Sequence, residues 1–199
     1  MFISDNYKLV FLEVPRTGSR SITNALTRLD PNSPTVQLRN KTGALDHYHS
    51  CHIPDRVDDS YVIVAAHRNP YDRLWSHWKF RHQWGNPDIF KYISWQRYVS
   101  WACNPDSAPE ISGALLELPI AEMLDCELIT HWLDFEQLAT SWRQLVEDTG
   151  LPLPELDWIN RSVTMGAPRE AYDTELARMV AERFSADFIR FNYNVESWC

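Results

Sequence analysis

KLVFLEVPRTGSRSI, residues 8–22, decides how this chain is built. Its first half, Lys8 to Val14, is an apolar and β-branched run, short enough for a buried strand. Its second half opens a helix, because Ile22, Ala25, Leu26 and Leu29 then recur at i, i+3, i+4 and i+7. Strand, turn and helix in that order begin an α/β domain with a parallel sheet. The turn, PRTGSRS (Pro15–Ser21), has the physics of an anion cradle. A glycine lets the backbone turn tightly, consecutive N–H groups converge, and the positive end of the helix points at the same place. Arg16 adds a fixed cationic fork. The competing reading is an ordinary strand-to-helix turn that uses Pro, Gly and Ser for conformation alone. The triphosphatase pattern GxxxxGK followed by Ser or Thr is absent, since both the lysine and the second glycine are missing.

VAAHRNPYDRLWS (Val64–Ser76) repeats the arrangement. Tyr61 to Ala66 reads as a second buried strand. Asn69 then caps a helix that has Pro70 at its first position and Asp72 in its first turn. Tyr71, Leu74, Trp75 and Trp78 form the buried stripe, and Ser76 shares the polar face with Asp72 and Lys79. Arg68 sits at the carboxyl end of its strand, where open α/β sheets bind ligands. With Ser76 it can pinch one phosphate between a guanidinium and a hydroxyl. Against this stands a pairing of Arg68 with Asp72, with Arg73 competing for the same carboxylate. Two anion cradles on neighbouring strands imply a ligand with phosphates at two ends.

The remaining pattern is coarser. Asp30 to Lys41 is polar and broken by prolines, a surface connection. Residues 84–119 are rich in aromatics and prolines with weak periodicity, which suggests helices and loops forming a lid or acceptor wall. Glu127 to Phe135 resembles a further strand, Phe135 to Gly150 a helix ending at glycine, and Asp173 to Asp187 a closing helix. At 199 residues the chain fits a single domain, 1–199, with a substantial core.

A formal charge of −8 argues against a nucleic-acid binder working through a general basic surface, so any anion site is local. No stretch approaches the roughly 18 uninterrupted apolar residues of a membrane span, and the first residues lack the pattern of a signal peptide. The four cysteines, Cys51, Cys103, Cys126 and Cys199, show no CxxC pairing, as expected of reduced thiols in a cytoplasmic protein.

Together the two phrases resemble the sulfotransferase superfamily, which transfers a sulfuryl group from 3′-phosphoadenosine 5′-phosphosulfate (PAPS). The family's 5′-phosphosulfate loop reads roughly P-K-T-G-(G/T)-(S/T)-S, and Pro15-Arg16-Thr17-Gly18-Ser19-Arg20-Ser21 lies over it. Its 3′-phosphate motif reads roughly R-N-P-x-(D/E)-R-(L/F)-x-S, matched from Arg68 to Ser76 almost throughout. Further on, Ile159-Asn160-Arg161-Ser162, Tyr172-Asp173, Asp187-Phe188 and Phe191-Asn192-Tyr193 follow an order similar to carbohydrate sulfotransferases and their short bacterial and phage-type relatives.

The resemblance implies a fold related to the P-loop kinases, a central parallel sheet flanked by helices on both faces, with PAPS lying across the strand ends. It implies no metal, and 3′-phosphoadenosine 5′-phosphate as the product. Thr17, Gly18, Ser19, Arg20 and Ser21 would hold the 5′-phosphosulfate, and Arg16 would offset charge on the leaving oxygen. Arg68 and Ser76 would grip the 3′-phosphate, joined by Arg161 or Ser162, while Trp158 is one candidate for stacking on adenine. The acceptor is a hydroxyl, and the carbohydrate-like tail tilts it toward a glycan or another alcohol.

Two departures stand out. The family usually carries lysine where this chain has Arg16, and an arginine supplies electrostatics but hardly a proton. The protein-tyrosine branch also resembles PR(S/T)GT, so the change does not by itself mark a dead enzyme. Arg20 replaces a small hydroxyl residue and either contacts phosphate or faces solvent.

The acceptor hydroxyl needs a base. The densest titratable run is Asp46-His47-Tyr48-His49-Ser50-Cys51-His52. Bacterial relatives often show a His followed by small residues upstream of the RNP motif, a place His49 fits best, then His47, then His52; Glu13 is the carboxylate alternative. His47, His49, Cys51 and His52 are nominal zinc ligands, but the stretch is short and lacks a second ligand pair. Two rivals remain: a kinase-like phosphoryl transferase, which needs magnesium and a carboxylate to place it, and a nucleotide-binding interaction protein without turnover.

Overall fold

The sheet begins with a hairpin. β1 (Phe2–Ser4) runs antiparallel to β2 (Leu9–Leu12), with Phe2 opposite Phe11 and Ser4 opposite Leu9. The reversal between them places Lys8 at φ 48°, and the Ser4 hydroxyl accepts the Tyr7 N–H at 3.2 Å. In the computed structural model the described residues are 1–33, 53–84, 91–104, 118–124, 126–157, 167 and 169–199.

Beyond β2 every strand is parallel. β3 (Val62–His67) pairs with β2 (Leu12 opposite Ala65), and β4 (His131–Asp134) pairs with β3 (His67 opposite Asp134). The order is β1-β2-β3-β4, so the expected parallel sheet carries an antiparallel edge. The expected strand from Glu127 shortens to β4, because Cys126–Leu128 forms a 3-10 turn. Thr130 then uses its side chain in the ladder, accepting from Ile63 N–H at 2.9 Å and donating to the Ile63 carbonyl at 3.0 Å.

The described residues form two compact units: Met1–Arg68 with Met123–Arg161, and Asn69–Glu122 with Ser162–Cys199. In the first, α1 (Ser19–Leu29) and a later helix over Leu138–Thr149 bury their apolar stripes in one cluster with the sheet. Ile22, Ala25, Leu26, Leu138, Trp142 and Leu145 join Phe11, Val64, Ala66 and Leu133 there. Each Val, Leu, Ile or Phe among them contributes about 1.5–3 kcal/mol on full burial. The later helix starts three residues after the expected Phe135, because the Phe135 N–H still bonds the His67 carbonyl (3.0 Å) as part of the ladder. It ends as expected at Gly150, which takes φ 68° and returns its N–H to the Val146 carbonyl.

The second unit contains α2 (Pro70–Trp84), α3 (Trp95–Cys103), α6 (Thr174–Arg183) and α7 (Ser185–Arg190), with α4 (Ile120–Met123) beginning in it; the Leu138–Thr149 helix is α5. Asn69 caps α2 by accepting the Tyr71 N–H at 3.0 Å. Tyr71 and Leu74 are buried, with Trp75 and Trp78 packed beside them. α3 lies in the 84–119 region and supplies Trp95, Tyr98, Val99, Trp101 and Ala102 to that core. The expected closing helix is two helices, because Phe184 leaves helical geometry (φ −102°, ψ 20°) between them. Asp173 caps α6 by accepting the Leu176 N–H at 2.9 Å.

Arg73 does not turn to Asp72. It lies 1% exposed, 3.8 Å from the fully buried Asp187, and donates to the Leu118 carbonyl at 3.0 Å. Asp187 also accepts the Ile120 and Ala121 N–H groups, both at 2.9 Å, while Asp72 accepts the Ala167 N–H. Burial pushes the Asp187 carboxyl above its usual range, and Arg73 with the two N–H groups pulls it back. Asp187→Ala would remove the carboxylate beside a buried guanidinium and the acceptor of two amides at once. We predict a loss of about 3–5 kcal/mol in urea denaturation; a loss below 1 kcal/mol would contradict this account of the pair.

Candidate functional site

The parallel register brings the residues that follow β2, β3 and β4 to one edge of the first unit. The loop Glu13–Gly18 follows β2, Arg68 follows β3, and Phe135 follows β4. They meet there. Arg68 is only 6% exposed; its Nη1 donates to the Arg16 carbonyl at 3.1 Å, and its guanidinium carbon lies 4.2 Å from the Phe135 ring centroid. Gly18 rests against the same ring. A methyl group there would come within 3.2 Å of Phe135 Cδ2 and Cε2 and of Leu138 Cδ2.

The loop is held in an unusual shape. Arg16 has φ 68° and Gly18 φ 79°, both left-handed. For the arginine that costs about 1–3 kcal/mol and persists only where the surroundings over-determine it. Among the described contacts that hold it are Arg68 on the Arg16 carbonyl and the Thr17 hydroxyl donating to the Val14 carbonyl at 2.9 Å. Left-handed residues close together in a turn can direct successive N–H groups into a concavity that suits an anion. Beyond it α1 starts at Ser19 with no acidic residue in its own first turn, so the positive end of its dipole faces the loop without a carboxylate from that turn.

The candidates from the sequence divide accordingly. Arg16, Thr17, Gly18, Ser19, Arg20, Ser21 and Arg68 all lie in the first unit. Thr17 is fully buried and its hydroxyl is turned to Val14, Ser21 is buried on α1, and Arg20 is exposed. Ser76 lies half-buried on α2 of the second unit. Glu13 accepts from the Thr23 hydroxyl and from the amino group of Met1. His47, His49, His52, Trp158, Arg161 and Ser162 lie outside the described residues. Among the described residues no cluster of His, Cys, Asp or Glu could hold a metal ion, and no helix is long and apolar enough to cross a membrane.

Two residues escaped the motif reading. Phe135 belongs to neither phrase, and no spacing rule links it to Gly18 or Arg68. His67 lies just beyond the expected strand end at Ala66, and neither phrase gives it a role; in the structure it closes β3. It lies opposite Asp134 at the end of β3, and burial lowers its pKa to about 4 against the pull of Asp134. It is therefore neutral near pH 7.

A strand–loop–helix turn, buttressed by an arginine from the next parallel strand, is thus assembled from the two phrases that carried the family likeness. The Sulfotransferase family model matches residues 1–194. The chain belongs to the sulfotransferase family. No curated protein and no solved structure gave a match. Family membership assigns the chain to sulfuryl transfer, with an acceptor as the second substrate.

Neutral burial of His67 gives this sulfotransferase a pH dependence. Its folded pKa lies below the unfolded value of about 6.5, so the unfolded chain binds the extra proton first. The contribution is fully present above pH 6.5 and is lost as pH falls toward 4. We predict that wild type loses on the order of 2–3 kcal/mol more than His67→Gln between pH 7 and pH 4, measured by urea midpoints. Parallel curves for the two proteins would contradict it.

Proposed function

We propose that this sulfotransferase moves a sulfuryl group from PAPS to a hydroxyl, on a carbohydrate or another alcohol, without a metal, on a kinase-like fold. The observation that carries the reading is the left-handed loop at Arg16 and Gly18, clamped by Arg68 and opening onto the N-terminus of α1. Such a loop favours the 5′-phosphosulfate end of the donor. Sulfuryl transfer resembles phosphoryl transfer in relying on alignment and on neutralising charge as the bridging bond stretches. The N–H groups from Thr17 to Ser21 orient the donor, and Arg16, charged at any working pH, offsets charge on the leaving oxygen.

In this reading Arg68 and Ser76 serve the 3′-phosphate, as their shared motif implies, together with Arg161 and Ser162. His49 accepts the proton of the acceptor hydroxyl. Engagement of Glu13 by Thr23 favours the histidine over the carboxylate. The tail from Asn160 to Tyr193 supports a glycan-type acceptor by its likeness to the carbohydrate branch. We place the reaction in the cytoplasm, where thiols such as Cys103 and Cys199 stay reduced.

Turnover of sulfur-labelled PAPS against a panel of sugar alcohols, with and without chelator, tests the reaction. Label should transfer equally in both conditions. Magnesium dependence with ATP in place of PAPS would instead support a kinase. Arg68→Ala should weaken binding of both donors by releasing the loop, and weaken PAPS by roughly a further 10–100-fold beyond adenosine 5′-phosphosulfate, the worth of the charge-assisted hydrogen bond that only the 3′-phosphate loses. Equal losses would remove Arg68 from the 3′-phosphate site.

A further inference from the structure

Phe135 is the only described aromatic ring recorded as touching both the guanidinium of Arg68 and the glycine of the donor loop. Its position is fixed from below, because its own N–H bonds the His67 carbonyl at the end of the neighbouring strand. The ring therefore touches both partners. Its face carries the flat guanidinium at 4.2 Å and sets the plane in which Nη1 reaches the Arg16 carbonyl. Its Cδ2 and Cε2 atoms lie so close to Gly18 that no Cβ fits there without displacement, and only glycine takes φ 79° without strain.

We infer that Phe135 is a positioning residue for the donor loop, acting through Arg68 and Gly18 rather than by touching substrate. The inference rests on the PAPS reading for its catalytic consequence but not for the brace itself. Arg16 is a non-glycine residue in left-handed backbone, and the bond that holds its carbonyl comes from an arginine whose orientation depends on a ring. Loss of the ring lets the guanidinium tilt, releases the Arg16 carbonyl, and allows the loop to relax toward right-handed geometry. The N–H groups of Thr17 to Ser19 then turn away from the position of the sulfuryl group. A leucine at 135 would preserve apolar bulk but offer no flat face. A tyrosine would preserve the face.

The test compares wild type, Phe135→Leu, Phe135→Tyr and Gly18→Ala. Hydrogen–deuterium exchange of the peptide spanning residues 13–21 reads the brace with no nucleotide present, and kcat and KM for PAPS read its consequence. In Phe135→Leu and Gly18→Ala we expect faster exchange in that peptide and a fall in kcat on the order of 10²-fold, the usual effect of small misplacement. KM for the acceptor should stay unchanged, and exchange in α3 of the second unit should match wild type, which excludes general unfolding. Phe135→Tyr should restore both readouts. Unchanged loop exchange in Phe135→Leu, or a Tyr variant as impaired as the Leu variant, would overturn the inference. If the loop loosens as expected while even wild type fails to turn over PAPS, the brace stands and the donor assignment falls. If wild type turns over PAPS and the Leu variant matches it, the brace alone falls.

Discussion

One contact organises the first unit: a buried arginine at the end of β3 donating to a carbonyl in the loop after β2. Parallel pairing makes this contact available, because it delivers the carboxyl ends of adjacent strands to the same edge. Burial makes it strong, since a charge-assisted hydrogen bond is worth more where water is excluded. The strained Arg16 backbone makes it consequential. Without a fixed partner for that carbonyl, an arginine at φ 68° has a lower-energy alternative, and the shape of the anion cradle is lost.

The electrostatic setting follows from the same arrangement. A chain with net charge −8 repels anionic ligands at long range, so recognition of any anion has to be local and short-ranged. In the proposed function, Arg16, the α1 N-terminus and the loop amides supply that local field. In the second unit, Arg73 and Asp187 are buried together, and their task is architectural. Asp187 gathers the first N–H groups of α4 while Arg73 reaches the Leu118 carbonyl. The motif R-N-P-x-(D/E)-R thus contains two arginines with different work: Arg68 tied to the donor loop, and Arg73 tied to an internal carboxylate.

Much of this was legible from residue order. The runs ending at Val14 and Ala66 marked two buried strands, and Asn69-Pro70 and Gly150 marked a helix start and a helix stop by their own backbone chemistry. β1 was not legible, because three residues carry no period to read. The break at Phe184 was not legible either, since the apolar stripe continues through it into Phe188. At the site, the two phrases name the loop residues but not what holds them. Thr17 looked like a phosphate ligand, yet its hydroxyl serves the Val14 carbonyl. Arg68 looked like an open cation, yet it is packed on Phe135. Such roles come from contacts between residues distant in sequence, which local patterns do not encode. His67 has no such signal either: it follows the expected strand end at Ala66, and nothing in residue order shows that burial keeps its imidazole neutral.

The account stands on a loop that accepts the phosphate-bearing end of a donor whose other end is held separately. Calorimetry of the intact chain with adenosine 3′,5′-bisphosphate, set against adenosine 5′-monophosphate, measures this without any acceptor or turnover. We expect the bisphosphate to bind about 10–100-fold more tightly, the difference one additional charge-assisted phosphate contact supplies. Absence of heat with the bisphosphate at millimolar concentration, or equal affinity for the two nucleotides, would contradict it.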